Sequence, residues 1–272
     1  MLKRAFDFYI NSSTHVSLAV VSLAAISFQT FHLSLNVSLL IFIFLGSITG
    51  YNFVKYAGLA RRYYRNLAVN LKVIQVFSFI VFLGFIYSSF FQPLLVLIVA
   101  GIMGLFTVLY AVPVFSNNRN LRALTGVKIY VIAFVWSGVT VFMPVAANMD
   151  LLERDVLIEF LQRFCFIIAL TLPFEIRDLK FDLEDLGTIP QKLGIKKSKM
   201  VGYILIIVFV LLEFLKQAST LAQVLSVSSV GVITWVFLRN SRDRQSSYYS
   251  SFWVEGIPII WWLISSVLEV LI

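Results

Sequence analysis

The sequence predicts an all-α integral membrane protein, a single domain over residues 1–272 built of about nine transmembrane helices. Of the 272 residues, 60% are hydrophobic and only 13% are charged, whereas a soluble domain has roughly 25% charged residues. Long apolar windows and a mean hydropathy of +0.90 agree with this class. So much apolar surface is typical of a bundle whose helices face lipid.

Nine apolar windows each approach the roughly 20 residues that a helix needs to cross a bilayer core. The first, sixth and eighth are interrupted by polar residues and are the weakest. Lys3 and Arg4 precede the first window as in a signal peptide. No cleavage site follows it, so we expect an uncleaved first helix. The windows are residues 14–33, 37–56, 69–89, 93–113, 127–147, 156–174, 199–217, 221–238 and 254–272.

The 22 lysines and arginines divide unevenly between the two sides of these windows. If the N-terminus and the loops after the second, fourth, sixth and eighth windows share one side, that side receives 19 of them. Only Arg154, Arg163 and Lys216 fall on the other side. The positive-inside rule then places the N-terminus in the cytoplasm and the C-terminus on the opposite side. The same rule explains the net charge of +8 without a nucleic-acid partner.

An acidic segment, PFEIRDLKFDLEDLGTIPQKLG, follows the sixth window. Carboxylates are costly beside a lipid core unless they have partners. One interpretation is a Mg²⁺ site that presents a phosphorylated ligand, since Mg²⁺ takes oxygen ligands. The other is a solvated helix whose acids pair with neighbouring basic residues, and spacing alone favours this second interpretation. The carboxylates are spaced by three, four and three residues, which predicts one helical stripe of Glu175, Asp178, Asp182 and Asp185.

This segment resembles the second acidic signature of the UbiA-type intramembrane prenyltransferases, approximately DxRDxxxD followed by TxP and a glycine. Glu175 stands in place of the leading aspartate. The matching residues are Arg177, Asp178, Asp182, Thr188, Pro190 and Gly194, of which the last three also predict a turn that ends the segment. A second stretch, LYAVPVFSNNRNLRALTGVK, resembles the segment after helix 4 of that family through Tyr110, Pro113, Arg119, Arg122 and Lys128.

The resemblance covers the whole chain and implies a nine-helix fold that transfers a prenyl group from its diphosphate to a hydrophobic, often aromatic, acceptor. Mg²⁺ would be bound by Glu175, Asp178 and Asp182, of which the two aspartates are the catalytic candidates. The prenyl chain would lie in an apolar tunnel among the helices. Membrane lipids would surround the protein. Further site residues are Tyr110 and Asp185, and the diphosphate contacts would be Arg119, Arg122, Lys128 and Lys192.

The first family signature, approximately NDxxDxxxD after helix 2, is missing its acidic residues. The chain reads GYNFVKYAGLARRYYRN there, and only Asn52 matches. Tyr56 occupies one of the acidic places, and no Asp or Glu lies between Asp7 and Asp150. Half of the expected metal cage is therefore absent.

Three interpretations of this departure stay open. The protein is an enzyme that works with its second signature alone, with Asn52 as a neutral oxygen ligand and with Lys55 and a following arginine cluster as partners of the diphosphate. Alternatively, it binds an isoprenoid or another lipid without chemistry. Finally, the altered segment is a remnant that grips anionic lipid headgroups. Tyr56 is a candidate for shielding a carbocation with its ring.

A transporter is the rival from a different class, but neither an inverted repeat nor a pair of broken helices is recognisable in the sequence. Glu159 and Arg163 lie four residues apart in the sixth window and are predicted to pair. Glu213 and Lys216 are a second predicted pair.

Overall fold

The structure is a computed structural model that describes residues 2–62, 69–114, 120–146, 148, 151–180, 186–246 and 248–272. Side chains are described for these residues except residue 2 and those within 57–71. Two π-helical turns, Gly138–Phe142 and Tyr249–Val254, interrupt the α-helices. The helices are α1 (Leu2–Asn11), α2 (Thr14–Thr30), α3 (Val37–Arg62), α4 (Val69–Ser89), α5 (Leu94–Ala111), α6 (Lys128–Ser137), α7 (Met143–Val145), α8 (Arg154–Asp178), α9 (Ile189–Glu213), α10 (Leu221–Asn240) and α11 (Ile257–Leu271).

Within the described residues, seven helical stretches are long and apolar enough to cross a membrane. α1 and α2 meet at an angle of 56° and add an eighth span if the bent pair crosses as one. α9 covers most of the seventh predicted window but is not among these stretches, and four lysines from Lys192 to Lys199 make its first half polar. The predicted class, a multi-pass helical membrane protein, is confirmed. The number of nine spans stays a prediction.

The loops that carry most of the basic residues meet at one end of the bundle, which we call the charged end. The amide of Gly126 donates to the Leu186 carbonyl (2.8 Å) and joins the loop after α5 to the loop after α8. The ammonium of Lys199 donates to the Arg239 carbonyl (2.6 Å) and joins α9 to the end of α10. The uneven division of lysines and arginines predicted this grouping of loops.

α8 lies at the centre of the bundle and packs against α6, α9 and α10. Its side chains Phe166, Leu172 and Ile176 are fully buried. The Phe166 ring packs on Trp261 of α11 and on Phe209 of α9, with ring centroids 5.1 and 5.2 Å away. α4 and α5, by contrast, expose large apolar side chains on their outer faces, as helices in contact with lipid do. The C-terminal end of α8 therefore lies in the middle of the charged end.

Both π-helical turns are followed within four residues by a proline, Pro144 or Pro258. Proline lacks an N–H, and its ring presses against the carbonyl four residues earlier, so the helix widens there. After the second π-turn, the amide of Glu255 donates to the carbonyl five residues earlier, that of Ser250 (3.0 Å). Such turns recur at functional sites, which draws attention to Glu255.

A buried ion network joins α8 to α9 near the opposite end of the bundle. Arg163 and Lys216 both contact Glu159, and the Lys216 ammonium lies 2.6 Å from a carboxylate oxygen of Glu159 and of Glu213. These four side chains are at most 5% exposed. Both predicted ion pairs are confirmed, and Lys216 links them into one network.

Candidate functional site

A cavity of about 770 Å³ lies among α3, α4, α5 and α6. Along α3 it extends from Phe42 to Tyr56, which corresponds to roughly 20 Å at 1.5 Å per residue. Most of its wall is apolar, as in a site for a lipid chain. Polar side chains gather where it approaches the charged end, and they belong to Tyr51, Asn52, Tyr56, Gln75, Ser78 and Tyr110.

Tyrosines surround the charged-end mouth of this cavity. The Tyr51 hydroxyl accepts a hydrogen bond from Nε1 of Trp136 (2.6 Å), and the two rings are nearly perpendicular at 85°. Tyr51 also interacts electrostatically with Tyr110, which is buried. The Tyr56 hydroxyl donates to the Asn11 carbonyl (2.9 Å). The predicted residues Tyr56 and Tyr110 therefore both line the cavity, and Tyr51 joins them.

Asn52 binds the turn between α1 and α2. Its amide oxygen accepts from the Ser13 hydroxyl (2.8 Å), and its amide nitrogen donates to the Ser12 carbonyl (3.0 Å) and to the Ser78 hydroxyl (2.8 Å). Ser13 has a left-handed backbone, with φ of 64°, so the turn needs such support. Asn52 is thus a structural link in the described chain, and its predicted role as a metal ligand stays a prediction.

Lys55 lies against the C-terminal end of α1. Its ammonium donates to the carbonyls of Ile10 (3.4 Å) and Asn11 (3.3 Å). A helix C-terminus attracts cations, so this position suits a lysine. α1 itself is held by its Phe6 ring, which packs on Tyr248 and Phe252 at centroid distances of 5.1 and 5.0 Å. The helix therefore covers the place where the first acidic signature would lie.

The second signature begins in the last turn of α8. Glu175 is buried, whereas the Asp178 carboxylate is 26% exposed and accepts two hydrogen bonds from Arg177 (2.7 and 3.2 Å). The predicted helical stripe of four carboxylates does not continue as one helix, because α8 ends at Asp178. Residues 181–185, which include the predicted site residues Asp182 and Asp185, lie outside the described residues.

The segment after the signature begins a helix where the sequence predicted a closing turn. The Thr188 hydroxyl accepts from the Gln191 amide, and the Gln191 side chain accepts from the Thr188 amide, which forms a capping box. Pro190 suits the first turn of such a helix because it has no N–H to satisfy. A non-helical residue comes later, at Gly194 inside α9, whose φ is 75°.

Lys192 contacts the two loops that meet beside α6. A Cβ added to Gly126 would lie 3.3 Å from the Lys192 ammonium, and one added to Gly187 would lie 2.9 Å from its Cε. Lys128 begins α6 two residues after Gly126, and Arg122 is exposed in the same loop. The structure therefore places Lys192 close to the segment that contains Arg122 and Lys128. Contacts of these three residues with a diphosphate stay a prediction. Arg119 lies outside the described residues.

Two of the predicted carboxylate ligands lie in the last turn of α8. Among the residues with described side chains, no group of three or more His, Cys, Asp or Glu is placed to hold a metal ion. Glu175 and Asp178 supply two carboxylates one helical turn apart. The other predicted carboxylate ligand, Asp182, lies outside the described part of the chain.

Glu255 is a residue of the charged end that our sequence-based prediction missed. It follows the second π-helical turn and interacts electrostatically with Lys55 and Arg177, which come from α3 and α8. Tyr51, at the mouth of the cavity, interacts with the same carboxylate. An isolated acid within an apolar window was the available signal, since ionisable residues in membrane spans mark functional sites.

These features define a class, a multi-pass helical membrane protein with an apolar cavity that reaches a charged end. No protein-family model matches the chain, and no curated protein is significantly similar to it. A comparison with solved structures finds a digeranylgeranylglyceryl phosphate synthase in membranes, at 15% sequence identity. The likeness covers 99% of this chain and 98% of that one, with a TM-score of 0.59. The predicted UbiA-like fold is therefore confirmed over the full length.

Proposed function

We propose that the protein transfers a prenyl group from an isoprenyl diphosphate to a hydrophobic acceptor. The observation that supports this most is the apolar cavity, because it leads from the bundle interior to the tyrosines of the charged end. A prenyl chain in the cavity would place its diphosphate among lysines and arginines. The fold shared with a digeranylgeranylglyceryl phosphate synthase supports the same proposal.

In this proposal Glu175, Asp178 and Asp182 hold Mg²⁺, with Asn52 as a neutral oxygen ligand. The two described carboxylates are hard oxygen donors at the charged end, which suits this ion. Mg²⁺ bound there would neutralise charge on the leaving diphosphate. The diphosphate would receive hydrogen bonds from Lys55, Arg119, Arg122, Lys128 and Lys192.

The aromatic rings at the mouth would face the allylic cation that forms when the diphosphate leaves. Tyr51, Tyr56 and Tyr110 line the cavity there, and the face of an aromatic ring attracts a cation. The cavity would also keep water from the cation, because its wall is apolar. We further propose that the chain spans the membrane nine times and that the charged end faces the cytoplasm.

Turnover by the full chain purified in detergent is the direct test. The protein would be incubated with labelled prenyl diphosphates of increasing chain length, with Mg²⁺ or with EDTA, and the release of diphosphate would be followed. We expect release with Mg²⁺ and little with EDTA. If the protein neither releases diphosphate nor binds a prenyl thiodiphosphate, whose bridging sulfur resists cleavage, the proposal is wrong.

A second candidate function is the binding of an isoprenoid or another membrane lipid without chemistry. The contacts of three predicted site residues favour it, since Asp178 is bound by Arg177, Asn52 by the α1–α2 turn and Lys55 by carbonyls of α1. Binding of the thiodiphosphate without turnover of any prenyl diphosphate would support this second candidate.

Gly104→Phe should weaken binding of long prenyl chains. Gly104 lines the cavity, and a Cβ added there meets no atom within 4 Å, so a phenyl ring would occupy space that the chain needs. Forcing atoms into occupied space costs about 1–3 kcal/mol, or roughly 5- to 150-fold in affinity. Competition between geranylgeranyl and geranyl thiodiphosphates would show whether the loss is confined to the longer chain.

Gly101→Phe is the matched control, because Gly101 lies on the same helix with equally open space but does not line the cavity. Equal effects of the two substitutions would show that the cavity does not hold the chain.

A further inference from the structure

Three cations lie together where α9 and α10 meet at the charged end, and we call the surface between them the basic groove. Lys199 lies in the first half of α9, and its ammonium donates to the carbonyl of Arg239 in the last turn of α10 (2.6 Å). Arg242 follows two residues after the end of α10 and interacts electrostatically with Lys199. Like charges repel one another, so an anion bound here would stabilise the groove.

No carboxylate of the described chain neutralises the basic groove. Neither Lys199, Arg239 nor Arg242 forms an ion pair within 4 Å with a described residue. The adjacent acid, Asp243, is paired with Lys180 at 2.9 Å. The Lys199 ammonium has three N–H groups and gives one to the Arg239 carbonyl, so two are left for a ligand. The exposed side chains of Arg239 and Arg242 supply further donors.

A stacked aromatic pair lies one helical turn closer to the middle of the bundle. Tyr203 follows Lys199 by four residues and Trp235 precedes Arg239 by four, so each ring shares a helix face with a cation. The two ring centroids are 4.0 Å apart and the ring planes differ by 18°. Both side chains are partly exposed, and neither polar tip forms a hydrogen bond within the described chain. Tyrosine and tryptophan favour the boundary between lipid headgroups and acyl chains.

Beyond the aromatic pair the surface is apolar. Ile204 and Ile207 of α9 and Val232 and Val236 of α10 are all exposed. Cations, boundary aromatics and exposed aliphatic side chains therefore follow one another along the two helices. This is the order of the phosphate, glycerol and acyl chains in a phospholipid, whereas a soluble anion would gain nothing from the apolar part.

We propose that the basic groove binds an anionic glycerophospholipid of the surrounding membrane, with its phosphate held by Lys199, Arg239 and Arg242. Basic pockets between membrane helices recognise anionic headgroups in this way. A zwitterionic lipid carries its own cation, which the three cations of the groove repel, so lipids without a headgroup ammonium are preferred. The inference does not depend on prenyl transfer, because the groove is formed by other residues than the site proposed above.

Native mass spectrometry of the full chain, released from a non-ionic detergent, would measure binding of dioleoyl phosphatidylglycerol and of dioleoyl phosphatidylcholine. Wild type should bind the phosphatidylglycerol about tenfold more tightly than the phosphatidylcholine. Arg239→Gln with Arg242→Gln removes two exposed cations but keeps the bond from Lys199 to the Arg239 carbonyl, so the helices should stay joined. This double variant should lose roughly 30-fold in affinity for phosphatidylglycerol and little for phosphatidylcholine.

Lys199→Met should weaken binding of phosphatidylglycerol about fivefold. Lys197→Met is the matched control, because this exposed lysine lies about 160° around α9 from Lys199 and should leave the affinity as in wild type. Equal losses in these two variants, or equal affinity of wild type for the two lipids, would overturn the inference. Equal competition by soluble glycerol phosphate would overturn it too, since this ester has the phosphate but no acyl chains. A lower melting temperature with unchanged affinity in Lys199→Met would show that this lysine only caps α10, which also contradicts the proposal.

Discussion

Asp178→Asn should reduce diphosphate release about 100-fold or more, since a group that stabilises developing charge is typically worth about 3–4 kcal/mol. Asp178 ends α8 in the middle of the charged end and is partly exposed, so a metal ion can reach it. Asparagine keeps the shape of the side chain but removes its charge. The variant also releases Arg177 from its ion pair, which by itself would favour an incoming diphosphate.

The loss of activity in Asp178→Asn should result from weaker binding of Mg²⁺ and not from a general change of charge. Removal of Mg²⁺ with EDTA should therefore lower the activity of wild type strongly but change Asp178→Asn little further, because coupled perturbations are not additive. Mg²⁺ should also raise the melting temperature of the wild-type complex with a prenyl thiodiphosphate, and less so that of the variant.

Asp243→Asn is the matched control for this variant. Asp243 is another carboxylate at the charged end, exposed and paired with Lys180 at 2.9 Å. The hydrogen bond from Lys180 holds the pKa of Asp243 below its usual value. Near-normal release by Asp243→Asn is expected. Equal diphosphate release by wild type and Asp178→Asn would show that Asp178 is not part of the catalytic site.

The class of fold follows from the sequence because lipid imposes a simple rule, that long apolar runs become helices and basic loops gather on one side. Each of the nine predicted windows overlaps a helix of the described chain, and described basic loops contact one another at the charged end, as the distribution of lysines and arginines predicted. The helix ends are harder to predict. The capping box of Thr188 turns an expected closing turn into the start of α9, and the break between α1 and α2 lies outside every predicted window.

The candidate site was only partly predictable, for a physical reason. The second signature is local in sequence, and Gly187 and Lys192 near its end lie beside Gly126, two residues before Lys128. Glu255 lies far along the chain from Lys55 and Arg177, and only the packing of α11 against α2 and the contacts of the second π-turn with α8 bring them together. A spacing rule within one helix cannot detect such a group.

Asn52 and Lys55 show the same limit in another way. Their positions in the altered first signature predict contacts with a metal or a diphosphate, yet in the structure the α1–α2 turn and the C-terminal carbonyls of α1 bind them. The turn supplies carbonyl oxygens and hydroxyls close to where the family pattern has carboxylates. Nothing in the local sequence of α3 indicates this, because the partners belong to the first helices of the chain.

Lys216→Met should destabilise the protein by about 3–5 kcal/mol, the usual cost of leaving buried charges without a partner. Lys216 bridges Glu159 and Glu213, and its side chain is 5% exposed. Without it the network keeps two carboxylates and only Arg163 as a cation. The melting temperature in detergent should fall by roughly 10 °C for a chain of this size. Lys196→Met, at an exposed position of α9, should change the melting temperature little.

Removing Glu213 together with Lys216 should be less harmful than removing Lys216 alone. Glu213→Gln with Lys216→Met leaves Glu159 and Arg163 as a balanced pair, and Arg163 keeps its hydrogen bond to the Leu23 carbonyl (2.8 Å) and its position over the Trp261 ring. The double variant should therefore recover part of the lost melting temperature, a sign of coupling that independent contributions cannot produce. A double variant less stable than Lys216→Met would show that Glu213 stabilises the bundle through Gln162 and Ser219 and not through charge balance.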